Sequence, residues 1–293
     1  MGELTVETTT DLLSYTVPIF FATFFLYELL NRKLTREKKT KEDWWMSGIC
    51  IAALMAVQRP LLMAVTFLSL GVLFPNGLGS LHWINQEYFW LCLIVFLGID
   101  EMLHGGTHYF SHAKTPKNKI LKNIQAFLKV AHRPHHLNGG ADNKGELNVT
   151  HTYVEHWAWL LILPNYWFGM VVLYFGFFEA YLIGTFIKSV WALHVHTNWN
   201  YDLYLLNHKN PLISKTMYAL CHVITFPTMH HQHHSRSKNS AKNMQNFLAI
   251  WDWLLWGTLV IEKERPKIYG WRQSEREAHD VWFRFFNNDI KKA

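Results

Sequence analysis

Long apolar runs divide the chain, and their lengths are typical of membrane-crossing helices. Residues 12–30 are almost continuously apolar, and a run of that length at about 1.5 Å per residue reaches across a hydrocarbon core of roughly 30 Å. Residues 44–74 form a second run, broken only at Gln58-Arg59-Pro60. This break allows either one long helix kinked at Pro60 or a hairpin of two half-spans. A third apolar run covers residues 88–99. The pattern therefore predicts about three spans before residue 100.

A fourth apolar and aromatic run covers residues 157–187 and is interrupted at Pro164-Asn165. It is too long for one ordinary span, and its length suits a tight hairpin that enters and leaves on the same side, with Pro164-Asn165 at its centre. Residues 212–226 and 247–261 are shorter runs. Their lengths predict interfacial or buried helices rather than spans.

The charges between these runs predict an orientation. Residues 32–43 carry six Lys or Arg and three acidic residues, and such an excess of basic residues is typical of cytoplasmic loops. The N-terminus would then lie outside. Residues 114–144, and those from 209 onward, are also polar and basic. We therefore expect a membrane anchor with a cytoplasmic cap, in a bacterial inner membrane or the endoplasmic reticulum.

The composition agrees with this organisation. Half of the 293 residues are hydrophobic and only 17% are charged, against about 25% in an ordinary soluble domain. These values exclude disorder, collagen and coiled coil, while a mean hydropathy of -0.02 requires a polar part beside the apolar one. Three cysteines are too few and too scattered for a disulfide framework or a CxxC metal site. The net charge of +6 would suit nucleic acid, but nucleic-acid binding explains none of the histidines.

Histidine is the most unusual feature of the composition, because sixteen of the 18 histidines lie between His104 and His234. Asp100, His104, His108 and His112 recur every four residues and share one stripe of a helix. Three further groups follow, and each is a short box. These boxes are His132-Arg-Pro-His135-His136, His194-Val-His196-Thr-Asn198 and His230-His231-Gln232-His233-His234.

Neutral imidazole is a ligand for iron, zinc, copper and nickel. Eight or nine converging imidazoles exceed the four ligands that one zinc ion takes, so two metal ions are the natural number. The boxes contain no cysteine, and the only carboxylates near them are Asp100 and Glu101. So many imidazoles beside a bilayer would be costly without a metal. The boxes therefore predict a dimetal site.

The order HxxxH, HxxHH, HxHxN, HHxHH resembles that of the fatty acid hydroxylase/sterol desaturase superfamily of membrane di-iron oxygenases. The closing Trp251-Asp252 and Gly257-Thr258 are similar to the family's tail, and the likeness covers roughly residues 88–260. The resemblance implies an all-α integral membrane fold with transmembrane helices or hairpins and a cytosolic helical cap that holds the dimetal site. The metal ligands that it implies are His108, His112, His132, His135, His136, His196, His230, His233 and His234. All of these except His196 also form the predicted catalytic set.

Three regions are expected on this basis. Residues 1–99 would form the N-terminal transmembrane region, and residues 100–264 the histidine-box catalytic region with the hairpin near 157–187. Residues 265–293 would form a polar cytosolic tail. Asp100 is expected to accept a hydrogen bond from a ligand imidazole and so fix its tautomer. Supporting roles of lower rank fall to His104, His194, Asn198, His231 and Glu155.

The resemblance further implies the chemistry. Two iron ions would use O2 and two external electrons to hydroxylate or desaturate a C–H bond of a lipid, which could be a fatty acyl chain, a sterol or a related lipid. Zinc can replace iron on the same ligands in purified protein. The chain has no GxGxxG in a strand-turn-helix setting, no haem-binding pair and no iron–sulfur cysteines. The electron donor is therefore expected in trans, as a cytochrome b5-type or ferredoxin-type protein.

Two other classes are alternatives. A zinc-dependent membrane hydrolase would use a metal-bound water, with about three histidine ligands and usually a carboxylate base within the box. A metal-binding or metal-transport membrane protein would place its ligands within the spans, along a path through them. Here the boxes precede or follow the apolar runs, which favours the oxygenase.

Overall fold

The computed structural model describes residues 6–31, 48–49, 51–136, 147–152 and 158–270. All regular elements in these ranges are helices, apart from an isolated bridge between Ser235 and Tyr269, so the predicted all-α fold is confirmed for them. The twelve helices that we number are α1 (Val6–Leu30), α2 (Ile51–Leu73), α3 (His82–Glu87), α4 (Phe89–His112), α5 (Lys119–His132), α6 (Trp159–Ile162), α7 (Pro164–Tyr174), α8 (Phe178–His196), α9 (Tyr201–Leu206), α10 (Pro211–Leu220), α11 (Pro227–His233) and α12 (Ile250–Leu254).

Helix α2 passes through Pro60 without ending, because its geometry changes just before the proline. Leu54–Gln58 form a π-helical turn, and Arg59 begins the α-helical part. A proline ring clashes with the carbonyl four residues earlier in a regular α-helix, and the wider turn at that place relieves the clash. Of the two alternatives, the described residues 51–73 contain the single long helix.

Two helices, α2 and α4, are long and apolar enough to cross a membrane. Only 18% and 28% of their most apolar windows are buried within the protein, whereas the core helix of a soluble protein is mostly buried. Leu68 and Val72 of α2 and Trp90 and Ile94 of α4 are among the large apolar side chains that point outward. In α1 the described apolar part, Thr16–Leu30, is shorter than a span.

The predicted hairpin in residues 157–187 is present, but its turn is not at Pro164-Asn165. Pro164 is the first residue of α7, a position where its missing N–H has no helical partner to lose. The chain reverses at Phe175–Phe177, where Gly176 adopts φ of 103°. Residues that carry a side chain rarely adopt this backbone conformation, and a Cβ at Gly176 would crowd His82. The position of the predicted turn was therefore wrong.

Both ends of the reversed segment return to the histidines. The ring of Trp159 in α6 stacks on His132 with centroids 4.7 Å apart, and α8 ends at His196. Helix α4 packs along both α7 and α8. Gly184 of α8 faces Phe96 of α4 closely, and a Cβ there would overlap the Phe96 ring. The entry and exit on one side that the histidine boxes require are thus present.

A helical cap follows α8 and is built from α9 to α12 and the segment after them. Its apolar core includes Leu206, Met217, Cys221 and Met229, with Cys221 fully buried as a small apolar side chain. The last described residues, 262–270, run back along the end of α11. Arg236 N–H donates to the Ile268 carbonyl, and Gly270 N–H donates to the His234 carbonyl. The first residues of the predicted polar tail therefore pack against the cap, while residues 271–293 lie outside the described ranges.

Candidate metal centre

Four elements bring all nine predicted metal ligands together. Helix α4 ends with His108 and His112, which lie on one face because they are four residues apart. The end of α5 and the 3-10 turn Arg133–His136 carry the second box. Helix α8 ends at His196, and α11 carries most of the last box. The nine predicted ligands are therefore all present at one place.

These nine imidazoles form two separate clusters. The first cluster consists of five residues, and the second cluster consists of four. In each cluster the candidate ligand atoms all lie within 4.8 Å of one another. The first cluster is His108, His112, His132, His136 and His233, and the second cluster is His135, His196, His230 and His234.

The two box motifs divide their histidines between the clusters in opposite ways. His132 and His136, the first and last of one box, join the first cluster, and His135 joins the second. In α11 and the residue after it, the first and last histidines, His230 and His234, join the second cluster, and His233 joins the first. The adjacent histidines at i+3 and i+4 point in different directions from the backbone and so reach different clusters. One HxxHH spacing thereby feeds two adjacent sites.

Distances between Nε2 atoms have the size expected around a common ion. The contacts are 2.8 Å for His108–His132, 2.9 Å for His132–His136, 3.1 Å for His136–His233, 3.2 Å for His135–His196, 3.1 Å for His196–His230 and 3.1 Å for His230–His234. An imidazole nitrogen lies about 2.1 Å from a bound metal, so two ligands at right angles are about 3.0 Å apart, and two at the tetrahedral angle about 3.4 Å apart. The observed separations are short enough for the nitrogens of each cluster to share one ion.

The cluster histidines are buried, and this keeps their rings neutral. Burial lowers the pKa of His132, His136, His230, His233 and His234 well below 6.5, and the neighbouring imidazoles lower it further. A neutral ring has a lone pair free for a metal. The chemistry of the residues therefore fits metal binding.

Backbone carbonyls hold several rings with Nε2 directed at the cluster. In the first cluster, Nδ1 of His108 lies 2.6 Å from the Met244 carbonyl and Nδ1 of His233 lies 3.0 Å from the Lys242 carbonyl. In the second cluster, Nδ1 of His196 lies 2.6 Å from the Ala192 carbonyl. A carbonyl accepts only from a protonated Nδ1, so these contacts leave Nε2 as the ligand atom. Among the described residues, the buried Nε2 of His112 has no hydrogen-bond partner, as expected of an atom that binds a metal.

Asp252 fixes the peptide that supports His108. Its Oδ1 accepts from Met244 N–H at 2.7 Å and from the Thr258 hydroxyl at 2.7 Å, and its Oδ2 accepts from Gln245 N–H at 3.2 Å. Burial raises the pKa of Asp252 to about 6, while these hydrogen bonds act in the opposite direction. Asp252 and Thr258, which resemble residues of the family's tail, are thus hydrogen-bonded to each other. Gln245, the residue after Met244, fills the space left by Gly105 of α4.

The predicted supporting histidines have different surroundings. His231 is fully buried, with Nε2 3.0 Å from the Thr197 carbonyl and Nδ1 3.0 Å from the Tyr269 hydroxyl. It therefore joins the last box to the residue after His196. His194 lies outside both clusters, and its Nε2 pairs with the Tyr201 hydroxyl at 2.8 Å.

Two further predicted supporting residues lie beside the clusters, and a third falls outside the described ranges. The ring of His104 packs against His108 with centroids 5.8 Å apart but belongs to neither cluster. Asn198 is buried two residues after His196. Glu155 belongs to residues 153–157, which the structure does not describe.

Asp100 does not contact an imidazole, contrary to the prediction. Its carboxylate is bound by the ammonium group of Lys188 and lies 3.4 Å from the Asn165 amide nitrogen. Lys188 also lies 2.8 Å from Glu101 Oε1, and Glu101 Oε2 accepts from Phe247 and Leu248 N–H. The pair of carboxylates therefore joins α4 to α8 and to the loop before α12.

Sequence reasoning missed Lys188, although a signal existed. It is the only Lys or Arg in the run from residue 157 to residue 196, and a lone charge in an apolar helix usually has a buried partner of opposite sign. The acidic pair Asp100 and Glu101 of α4 was visible in the sequence. The sequence does not show, however, that α8 packs beside α4 with Lys188 next to this pair.

Comparison of the whole chain with protein-family models, curated proteins and solved structures finds no significant match.

Proposed function

We propose that the protein is a membrane-bound non-haem di-iron oxygenase that hydroxylates or desaturates a lipid. The observation that carries this proposal is the division of nine histidines, eight of them buried and His112 partly buried, into two adjacent clusters. A single zinc site would take only four of these ligands. Nine converging imidazoles account for two ions, and two ions acting together suit the activation of O2.

The ligand set favours iron over the zinc of a hydrolase. Up to five imidazoles per cluster suit an ion with five or six ligands, whereas zinc sites are mostly tetrahedral. Among the described residues, neither cluster contains a carboxylate that would serve a metal-bound water as a base. Asp100 and Glu101 are occupied by Lys188.

A lipid substrate is supported by the outward apolar faces of α2 and α4. Leu68, Val72, Trp90 and Ile94 are each at least 67% exposed, and so much exposed apolar surface would be unfavourable in water. A bilayer would cover it. Because α4 ends in His108 and His112, the same helix would lead from the lipid to the metal centre, with the histidines on the cytoplasmic side.

In this proposal the chain itself holds, orients and shields the reacting groups. Iron, when bound, supplies the activation of O2 and the oxidation of the C–H bond. The carbonyls of Met244, Lys242 and Ala192 orient the ligand rings. Trp159, stacked on His132 and almost fully buried, keeps water from that side of the first cluster. The two electrons come from a cytochrome b5-type or ferredoxin-type donor.

The decisive experiment is lipid mass spectrometry of cells grown under heavy-isotope dioxygen, with the donor expressed together with the protein. Wild type is compared with His135→Ala and with the control His222→Ala, whose imidazole lies outside both clusters. A lipid that gains labelled oxygen in wild type and His222→Ala alone supports hydroxylation. A lipid that loses two hydrogens without label supports desaturation. Identical lipids in all three strains, from protein that contains two iron ions, would contradict the proposal.

A further inference from the structure

Glu28 is a carboxylate in an unexpected place. It is the only charged residue in the apolar run of residues 12–30, and it is fully buried within α1. A buried charge in an apolar helix is costly unless hydrogen bonds compensate for it, and such a residue commonly has a specific partner. The sequence indicated only an anchor here.

The partners of Glu28 are backbone groups from two distant segments. Oε2 accepts from Val149 N–H at 3.1 Å, and Oε1 accepts from Asn198 N–H. Val149 begins the 3-10 turn Val149–His151. Hydrogen bonds from N–H groups to a carboxylate are among the stronger ones in proteins. A single side chain therefore links α1 to two loops that are not adjacent in sequence.

Apolar contacts support the same junction. Phe24 and Tyr27, one turn from Glu28 or nearer, pack edge-on against Trp199 with centroids 5.2 Å and 4.9 Å apart. Phe24 also belongs to a buried group with Val149 and Leu193. The end of α1 is thus packed against the residues that immediately follow α8.

These residues connect directly to the second cluster. Asn198 follows His196 by two positions, and the Thr197 carbonyl between them contacts His231 Nε2 at 3.0 Å. His231 is the neighbour of the ligand His230. A shift of the backbone at Asn198 would therefore move His196 directly and would disturb the last box through His231.

We propose that Glu28 is a positioning residue for the second cluster, so that α1 is part of the metal centre as well as an anchor. The proposal rests on the proposed dimetal function. It predicts a selective effect, because His108 of the first cluster is held by other residues, Met244 and Asp252. Loss of the Glu28 carboxylate should release the metal of the second cluster and retain that of the first.

The test measures iron per chain in full-length protein purified in lipid nanodiscs. We expect one ion per cluster in wild type, one ion fewer in Glu28→Ala, and an intermediate content in Glu28→Gln. The glutamine keeps the size of the side chain and can accept one N–H, but its amide nitrogen opposes the other. Glu87→Ala, which removes an exposed carboxylate from α3, is the matched control and should keep both ions.

Combined variants identify the affected cluster. His230→Ala leaves three imidazoles in the second cluster, and His108→Ala/His112→Ala leaves three in the first. If Glu28 acts on the second cluster, adding Glu28→Ala to His230→Ala removes no further iron. Adding it to the double variant His108→Ala/His112→Ala removes the remaining ion. This dependence separates positioning from general destabilisation, which would remove iron from either background.

The outcomes separate this inference from the proposed function. A wild-type chain that binds no iron would contradict the proposed function and, with it, this inference. Two ions in wild type and in both Glu28 variants would contradict the inference alone. Complete loss of iron in Glu28→Ala, or in its combination with His230→Ala, would also contradict it, because the effect would not be confined to the second cluster.

Discussion

The two histidine clusters share one construction and differ in a single contribution. The HxxHH spacing supplies three of the ligands in each. The first cluster then gains the i, i+4 pair His108 and His112 from α4, whereas the second gains only His196 from α8. Four residues before His196, where a paired ligand would be, stands Ala192, whose carbonyl instead accepts from His196 Nδ1. Under the proposed function, the second ion has more positions open to O2 or another small ligand.

The strongest test of this difference is to remove one imidazole from each cluster. His196→Ala leaves three ligands in the second cluster, and we expect it to lose that ion and at least about 1,000-fold of activity, since a transition-metal centre that depends on both ions fails with one. His112→Ala leaves four ligands in the first cluster and should retain its ion with weaker affinity. Iron content under increasing chelator measures both.

Equal chelator sensitivity of these two variants would show that the fifth ligand has no effect on affinity. His222→Ala, which removes a histidine outside the clusters, serves as the control and should match wild type in iron content and activity.

The metal-free protein should lose stability in mild acid. Burial lowers the pKa of the cluster histidines His132, His136, His230, His233 and His234 well below 6.5. Between pH 6.5 and these lowered values the unfolded chain binds more protons than the folded one. The contribution of these histidines to the free energy of unfolding therefore falls as pH decreases, by up to about 1.4 kcal/mol per pH unit for each histidine. Above about pH 7.5 this contribution is constant.

Thermal unfolding of metal-free and iron-loaded protein between about pH 7.5 and pH 5.5 measures this effect. In the proposed function iron would occupy the same nitrogens, so the loaded protein should resist acid until the ion is displaced. A metal-free protein whose stability does not change across this range would show that the imidazoles are already protonated or exposed to water.

Asp252→Asn should weaken the first cluster selectively. The asparagine amide would oppose either Met244 N–H or Gln245 N–H, and the Met244 carbonyl would then hold His108 less firmly. We expect a loss of about 10- to 100-fold in iron affinity at the first cluster, the usual effect of removing a partner of a ligand histidine. Metal titration of wild type and variant measures it.

Asp202→Asn provides the contrasting variant. The buried Asp202 carboxylate accepts from Thr228 N–H at 2.7 Å at the start of α11, which supplies ligands to both clusters. Its loss should weaken both ions together. If Asp252→Asn also weakened both equally, the separate support of the two clusters would be wrong.

The sequence predicted the nine histidines that form the clusters and the helical class, because histidine spacing and apolar runs are local patterns. It did not predict how the boxes divide between the clusters, since this depends on helices that approach from distant parts of the chain. Asp100 shows the same limit. Its position in the histidine stripe suggested an imidazole partner, but the helix that packs beside it carries Lys188. The hairpin turn also depended on context, since Pro164 suits a helix start as well as a turn.

We expect the weakest effect from a substitution of Tyr269, which lies in residues 265–293, the segment predicted to be a polar tail. Its buried hydroxyl contacts His231 Nδ1 at 3.0 Å, and Tyr269→Phe would leave that nitrogen unpaired. We expect the free energy of unfolding to fall by about 1 kcal/mol, with faster iron release from the second cluster alone, since His231 adjoins His230 and the Thr197 carbonyl. Tyr204→Phe, at a mostly exposed position, is the control and should change neither. Unaltered iron release in Tyr269→Phe would mean that residues 262–270 cover the cap without supporting the second cluster.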